Sequence, residues 1–322
     1  MSDPNDLLAF GPVPSRRLGQ SVGINNIPPK HCSLSCIYCQ LGRTNSLSVN
    51  RQVFYEPALL VGAVEARLVE AQRRGLTVDF LTYVADGEPT LDLNLGREVA
   101  LLQPLGVKLA VISNATLLWR GDVRDDLARA DLVSLKVDAA DEQTWRRVNR
   151  PHGSLRLAKV QQGMLAFAAG YTGTLITETM LVRGVNDSVE QVSAVAAFLQ
   201  QLAPACSYLA APIRPPAERS SRAPEQATID RAFMILNASV PNVDTLTGNE
   251  TGSFGSSGSA ETDLLSITAV HPMRKEAVAA LLQRTGSAWS VVQDLIDQGK
   301  LVEHRYNETS YYIRRLSSCK SS

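Results

Sequence analysis

From about residue 55 to residue 240, short apolar runs alternate with longer stretches whose apolar residues recur at helical spacing. This is the pattern of βα units arranged around a parallel sheet. The apolar runs predict six strands, at 20–25, 77–85, 107–113, 132–137, 175–181 and 206–211. Between them, 57–74, 95–103, 120–130, 155–169, 188–201 and 224–237 carry helical periodicity, and Ser188 supplies an N-cap for the fifth helix. The pattern breaks at 247–260, where glycines alternate with serines. Such a run buries too little surface to offset its ordering entropy and predicts a linker. Beyond it, 263–270, 272–285 and 288–298 read as three short helices, and 300–303 and 310–314 as two strands joined around Asn307. Three helices followed by a hairpin is the winged-helix order. The domains expected are therefore 1–246, a linker at 247–260, and a winged-helix-like unit at 261–322.

Composition narrows the class without naming the chemistry. The 322 residues suffice for about two domains, and 44% hydrophobic with 20% charged residues excludes disordered, collagen-like and coiled-coil chains. Lys plus Arg and Asp plus Glu number 32 each, so no global field draws the chain to nucleic acid or anionic lipid. The longest uncharged stretch, 191–213, is interrupted by Gln200, Gln201, Pro204 and Pro212, and no membrane association is expected. The first six residues hold two acids and no apolar run, so a cytoplasmic protein is expected. Five cysteines, an odd number, do not make a disulfide framework.

Three of those cysteines fall within eight residues, at Cys32, Cys36 and Cys39. Thiolates at i, i+4 and i+7 of one short loop can hold three corners of a cubic iron–sulfur cluster and leave the fourth iron open to a small molecule. A zinc site would need a fourth ligand, and the adjacent His31 is poorly placed to supply it. Three unrelated core cysteines are the plain structural alternative.

The spacing CxxxCxxC with Tyr38 before the last cysteine resembles the radical S-adenosylmethionine (radical SAM) superfamily. That resemblance implies a [4Fe-4S] cluster on the three cysteines and S-adenosylmethionine (SAM) chelated to the open iron. One electron then yields a 5′-deoxyadenosyl radical. It also implies a partial (β/α)6 TIM-like barrel, in agreement with the six units counted above, and an electron donor such as flavodoxin or ferredoxin. Gly87-Glu88-Pro89-Thr90, after the second predicted strand, resembles the family's GGEP motif for the methionyl amino group, with Asp86 in place of the first glycine. Ser113 and Asn114 end the third strand, and Lys136 and Asp138 the fourth. The resemblance makes these four further SAM or substrate contacts and places Tyr38 near the adenine. Read without it, Asn114 is a helix cap and Lys136 with Asp138 an ion pair. No residue is singled out as catalytic in the hydrogen-abstraction step.

Phe10-Gly11-Pro12-Val13-Pro14-Ser15-Arg16-Arg17-Leu18-Gly19, Asn149-Arg150-Pro151-His152 and Arg214-Pro215-Pro216-Ala217-Glu218 are similar to the branch of iron–sulfur oxidoreductases related to tRNA wyosine-synthesis enzymes. Residues 1–31 lack cysteine, so a second cluster of the wyosine type is not expected. Arg16, Arg17, Arg150, His152 and Arg214 could grip a phosphate or carboxylate, or could form ion pairs. The tail makes tRNA or another nucleic acid a candidate partner and raises an alternative, an iron–sulfur redox-sensing regulator that binds nucleic acid. Against it, the third tail helix has no Lys or Arg, and residues 261–322 hold 8 basic against 7 acidic residues.

Overall fold

The computed structural model describes residues 8–15, 17–84, 86–246, 259–270, 272–306 and 309–314. The sequence features at Arg16, residues 247–258 and Asn307 lie outside them.

In chain order the strands are β1 (Ala9–Ser15), β2 (Gly19–Ile24), β3 (His31–Cys32), β4 (Ser46–Leu47), β5 (Phe80–Tyr83), β6 (Lys108–Ser113), β7 (Leu132–Lys136), β8 (Thr174–Met180), β9 (Cys206–Ala210), β10 (Val243–Thr245), β11 (Met273–Arg274), β12 (Leu301–Tyr306) and β13 (Thr309–Arg314). The α-helices are α1 (Pro57–Arg73), α2 (Leu95–Leu102), α3 (Gly121–Leu127), α4 (Glu142–Asn149), α5 (Leu157–Gly170), α6 (Val189–Leu202), α7 (Gln226–Asn237), α8 (Ala260–Val270), α9 (Lys275–Arg284) and α10 (Ser290–Asp297). The main sheet has eight strands in the order β1-β2-β5-β6-β7-β8-β9-β10. From β2 to β10 every neighbour is parallel, and β1 pairs antiparallel to β2. This is an α/β fold with a mainly parallel sheet, as a partial barrel requires. A small antiparallel sheet, β11-β13-β12, lies in the tail. Among the described residues no helix is long and apolar enough to cross a membrane.

All six predicted core strands are present with ends shifted by a few residues. The helices agree similarly, α3 stopping at Leu127 where 120–130 was expected. Its last carbonyls, Asp126 and Leu127, are taken up by the tight turn at Arg129 and Ala130. Six elements were not expected: β1, α4, β10 and the two-residue strands β3, β4 and β11, the last at the start of the stretch 272–285 that was expected to be helical. β1 contains Pro12 and Pro14, which read as loop because proline donates no ladder hydrogen bond, yet an edge strand tolerates this. α4 has few apolar positions and is started by Asp141, whose carboxylate accepts from the Thr144 N–H at 2.9 Å. β10 has three residues.

The two faces of the sheet differ. Leu81, Tyr83, Leu109, Val111, Val133, Leu135 and Leu209 pack against the helices and are fully buried, each large side chain contributing roughly 1.5–3 kcal/mol. On the opposite face Leu18, Ala110, Leu132 and Ile176 form an apolar floor, with Phe80, Ile112, Cys206 and Tyr208 beside it. One or two positions further along the strands the character changes to Ser134, Lys136 and Glu178, and Lys136 stands directly opposite Glu178 in the β7–β8 register. The interior thus grades from apolar to charged toward the C-terminal strand ends.

The tail is not merely tethered. Phe10 and Val13 of β1 belong to the same apolar cluster as Leu264, Ile267, Met273, Leu281, Val292, Leu301 and Tyr312. The Phe10 ring occupies the space a side chain at Gly23 would need, its Cζ lying 1.9 Å from that Cβ position. On the far side of the sheet the Tyr311 hydroxyl donates to the Ile213 carbonyl at 2.8 Å.

Candidate functional site

The cysteine loop is tied down on every side. The Cys32 carbonyl accepts from Ser48 N at 3.0 Å, the Leu34 carbonyl from the Thr44 hydroxyl at 2.6 Å, and the Ser33 hydroxyl pairs with Thr116 at 2.5 Å. Ile37 N donates to the Val148 carbonyl and Ser35 N to that of Asn149, so α4 backs the loop. Non-glycine residues in left-handed backbone conformation are Lys30, Ala115, Arg150 and Ala203 among those described. The first precedes the cysteines, the second follows Asn114 and the third follows Asn149. Such conformations are costly and persist where surrounding contacts enforce them.

Cys32, Cys36, Tyr38, Gly87, Glu88, Ser113, Asn114 and Lys136 line one cavity of about 510 Å³ of empty space, its mouth included. Cys39 stands next to Cys36, its N–H donating to the Cys36 carbonyl at 3.1 Å. Asp138 is displaced from this cavity: it lines an adjoining crevice with Val137, Trp145 and Asn149, and its side chain is fully buried.

Glu88 is the organising carboxylate. Its Oε1 accepts from Thr90 N at 3.1 Å, the Thr90 hydroxyl at 2.6 Å and the Ser113 hydroxyl at 2.8 Å. Its Oε2 accepts from Asn114 N at 2.7 Å. Burial raises its pKa, while these donors pull it back. Gly87 owes its identity to close approach, because a Cβ there would lie 1.8 Å from the His31 carbonyl oxygen. Asn114 Nδ2 reaches the Ser33 hydroxyl at 2.9 Å and Cys32 Sγ at 3.4 Å, and Asn149 Nδ2 reaches Cys36 Sγ at 3.3 Å.

A charged chain runs from the loop into the interior. The Tyr38 hydroxyl donates to Asp138 Oδ2, which also accepts from Asn149 Nδ2 at 2.7 Å, while Asp138 Oδ1 accepts from Met180 N at 2.8 Å. Lys136 Nζ lies 4.9 Å from the Tyr38 ring centroid and 2.7 Å from Glu178 Oε1, and Arg17 pairs with Glu178 Oε2. Burial would raise the Glu178 pKa, but Lys136 and Arg17 outweigh it and hold the carboxyl down to about 2. Burial works against the Lys136 charge, yet Asp138 and Glu178 outweigh it and raise its pKa. Glu178 and Asn149 escaped sequence reasoning as site residues. The available signals were a lone acid in an otherwise uncharged strand and the position of Asn149 just before Arg150-Pro151-His152.

The suggested anion grips resolve mostly as internal contacts. Arg17 pairs with Glu178, Arg150 lies 2.6 Å from Glu218, and Arg214 Nη1 donates to Gln40 at 3.2 Å. His152 Nδ1 is 2.8 Å from the Ser154 hydroxyl.

Without metal the three thiols resist ionisation. Burial pushes Cys36 up to about 12, helped by Asp138 and Cys39, and raises Cys32 and Cys39 as well. Soft ligands of this kind become thiolates when iron displaces their protons. No three His, Cys, Asp or Glu side chains among the described residues converge closely enough to share one metal ion. Three thiols of one loop suit a cluster in which each takes its own iron. The donor set, its sulfur-directed amides and the adjoining cavity therefore fit an iron–sulfur cluster with a small-molecule ligand.

Comparisons with known proteins agree. Residues 26–195 match the family model of the radical SAM superfamily. A UPF0026 protein of Methanocaldococcus jannaschii is 43% identical over 97% of both chains. Among solved structures, a radical SAM methyltransferase from Sphaerobacter thermophilus superposes with TM-score 0.57 at 18% identity, over 72% of this chain and 67% of that one. A structure of TYW1 with a lysine-pyruvate adduct bound gives 0.52 at 16% identity, over 68% and 74%. At such identities the two structures bear on the fold alone.

Proposed function

The chain belongs to the radical SAM superfamily of enzymes, and from that premise we propose that Cys32, Cys36 and Cys39 hold a [4Fe-4S] cluster and that the adjoining cavity binds SAM. When bound, cluster and SAM together supply reductive cleavage to a 5′-deoxyadenosyl radical that acts on a second substrate. The observation that carries the proposal is the single cavity uniting two of the cysteines with Tyr38, Glu88, Ser113, Asn114 and Lys136.

The residues divide the work. Glu88 Oε2 accepts one protein hydrogen bond and lies in the cavity wall, so it can accept from the methionyl ammonium. Asn114 and Asn149 direct N–H groups at Cys32 and Cys36 sulfurs, which steadies thiolate charge and tunes the cluster potential. Lys136 meets the cavity from β7 and suits the methionyl carboxylate or a substrate acid, while Asp138 positions Tyr38 and Lys136 from behind. The apolar floor below keeps water from the interior.

We assign the chain to the branch related to tRNA wyosine-synthesis enzymes on the motifs at 10–19, 149–152 and 214–218, with flavodoxin or ferredoxin as electron donor. The element order α8, β11, α9, α10, β12, β13 supports a winged-helix-like tail, and RNA is the macromolecular substrate to try first. The redox-regulator alternative is disfavoured because α10 carries no basic residue. Anaerobic assay of 5′-deoxyadenosine release, with and without tRNA, tests the reading. Release above background is expected from reconstituted protein, and its absence with full iron loading and a competent reductant would overturn SAM cleavage.

A further inference from the structure

Cys32 and Cys36 line the cavity but Cys39 does not, and the surface around Cys39 carries charge that the cofactor site leaves unused. The segments 29–46, 148–154 and 214–220 meet there. Gly42 N donates to the Cys39 carbonyl at 3.2 Å, Ile37 N to the Val148 carbonyl at 2.9 Å, and Glu218 N to the Ile37 carbonyl at 2.9 Å. Together the three segments hold five cations, Lys30, Arg43, Arg150, Arg214 and Arg219, and one carboxylate, Glu218. Basic and acidic residues balance at 32 each over the whole chain, so this excess is local.

The cations are drawn together by specific contacts. A Cβ at Gly42 would lie 3.6 Å from Lys30 Nζ, so the ammonium stands over the turn that follows Cys39. Arg43 and Arg150 share Glu218, at 2.9 and 2.6 Å, and one carboxylate cannot neutralise two guanidiniums. Arg214 Nη1 donates to Gln40 of the same turn at 3.2 Å. The Arg43 and Arg150 side chains remain 72% and 46% exposed, and Arg219 is exposed as well, so a partner can reach them. Lys30 and Arg150 are also two of the four described non-glycine residues held in left-handed conformation, which persists where surrounding contacts enforce it.

None of the five cations lines the cavity or the crevice beside it. A partner seated on them stands against the half-buried Cys39 from outside, close to the cluster ligands and away from the cavity. An RNA substrate needs the reverse, a base delivered to the cavity. It would also lack a stacking platform, because the Phe, Tyr and Trp of these segments amount to Tyr38, whose hydroxyl is turned to Asp138. A protein that hands over an electron needs nearness to the cluster and no entry to the cavity. We propose that Lys30, Arg43, Arg150 and Arg219 form the docking surface for an acidic one-electron carrier protein. The surface presupposes the cluster on Cys32, Cys36 and Cys39 proposed above. The carrier is oxidised by one electron, the cluster is reduced by one, and no atom is exchanged. Opposite charge steers the two together, so docking weakens with salt.

Calorimetric titration of the reconstituted full-length protein with an oxidised acidic flavodoxin tests the surface apart from turnover. Binding is expected at low salt, with affinity falling at least tenfold on going from about 50 to about 300 mM NaCl. The double variant Arg43→Glu/Arg219→Glu should bind at least tenfold more weakly at low salt and should take electrons more slowly from reduced flavodoxin, while dithionite still drives 5′-deoxyadenosine release at the wild-type level. Equal flavodoxin affinity in wild type and double variant would overturn the proposal, as would no binding at low salt. Binding of tRNA that is lost in the double variant while flavodoxin affinity is kept would assign the surface to RNA instead. Should the double variant fail to fold, Arg219→Glu alone decides, with about a threefold loss expected and an unchanged affinity counting against the surface. Failure of the wild type to release 5′-deoxyadenosine with dithionite would count against SAM cleavage, and the calorimetric result would still decide the docking surface.

Discussion

At the C-terminal strand ends the side chains are held by hydrogen bonds and charge, Glu88 by Thr90, Ser113 and Asn114, and Lys136 by Glu178. The tail, by contrast, is held to β1 by an apolar cluster and to the residues after β9 by the Tyr311 hydroxyl. Directional contacts fix atoms to within tenths of an ångström and lose much when one partner goes. Apolar contacts fix area and lose in proportion to what is uncovered. The mouth should therefore respond to single-atom changes in cofactor binding, and the tail to deletions in stability.

The largest effect expected is at the cysteines. Cys32→Ala, Cys36→Ala or Cys39→Ala should each abolish the iron–sulfur absorption of anaerobically reconstituted protein, measured with iron content, because three ligands leave no redundancy. A variant retaining about four irons per chain would remove that cysteine from the ligand set.

Next comes the tail. Deleting residues 259–322 uncovers Phe10 and Val13, 2% and 6% exposed in the intact chain. Burial of Phe10 alone is worth roughly 1.5–3 kcal/mol, so the deletion should lower Tm by about 3–12 °C. The Gly/Ser composition of 247–260 favours a freely tethered tail, and a truncated chain that melts within 2 °C of the full chain would restore that picture.

How much of each region could be read from the sequence follows the same division. Thiol spacing is local, so three cysteines within eight residues are visible at once, and strand-end polar residues such as Glu88 and Asn114 stand out against apolar runs. Glu178 and Asn149 were hidden because their roles depend on register between distant elements, Lys136 opposite Glu178 and α4 behind the cysteine loop. The docking of the tail on β1 was equally hidden. Its carriers, Phe10 and Val13, sit among prolines in a segment whose pattern predicts no strand, and nothing local tells an apolar residue which of two clusters it joins.

Glu88 sharpens the contrast, since it lines the cavity and also ties the strand ends together. Glu88→Ala leaves Asn114 N and the Ser113 and Thr90 donors without their acceptor and should cost about 2–4 kcal/mol. Glu88→Gln keeps the shape but turns an N–H either toward Asn114 N or toward the Thr90 and Ser113 donors. It should cost about 1–2 kcal/mol by urea unfolding and weaken SAM binding at least tenfold by calorimetry. Unchanged affinity in both variants would make Glu88 purely structural.

A pH-dependent effect lies where mouth and tail meet, at Asp86. Its carboxyl is 5% exposed, and burial raises its pKa from an ordinary 3.8 to about 7, with the nearby Arg314 of β13 pulling the other way. Below pH ~4 folded and unfolded chains are both protonated here. Between ~4 and ~7 the folded chain keeps a proton that the unfolded chain has released, so stability falls as pH rises through this window and levels off above it. The neighbouring thiols ionise well above that range and do not interfere. Asp86→Asn has the same shape and no charge, so it should flatten this part of the pH dependence. Relative to wild type it should gain on the order of 4 kcal/mol at pH 8 over pH 4, read from urea unfolding of the iron-free chain at both pH values. If the tail is deleted, Asp86 loses Arg314 but gains water. The second change dominates because burial is the larger cause of the shift, so the advantage of Asp86→Asn at pH 8 should shrink in the truncated chain. An advantage of the same size in both chains would mean that the tail does not enclose Asp86.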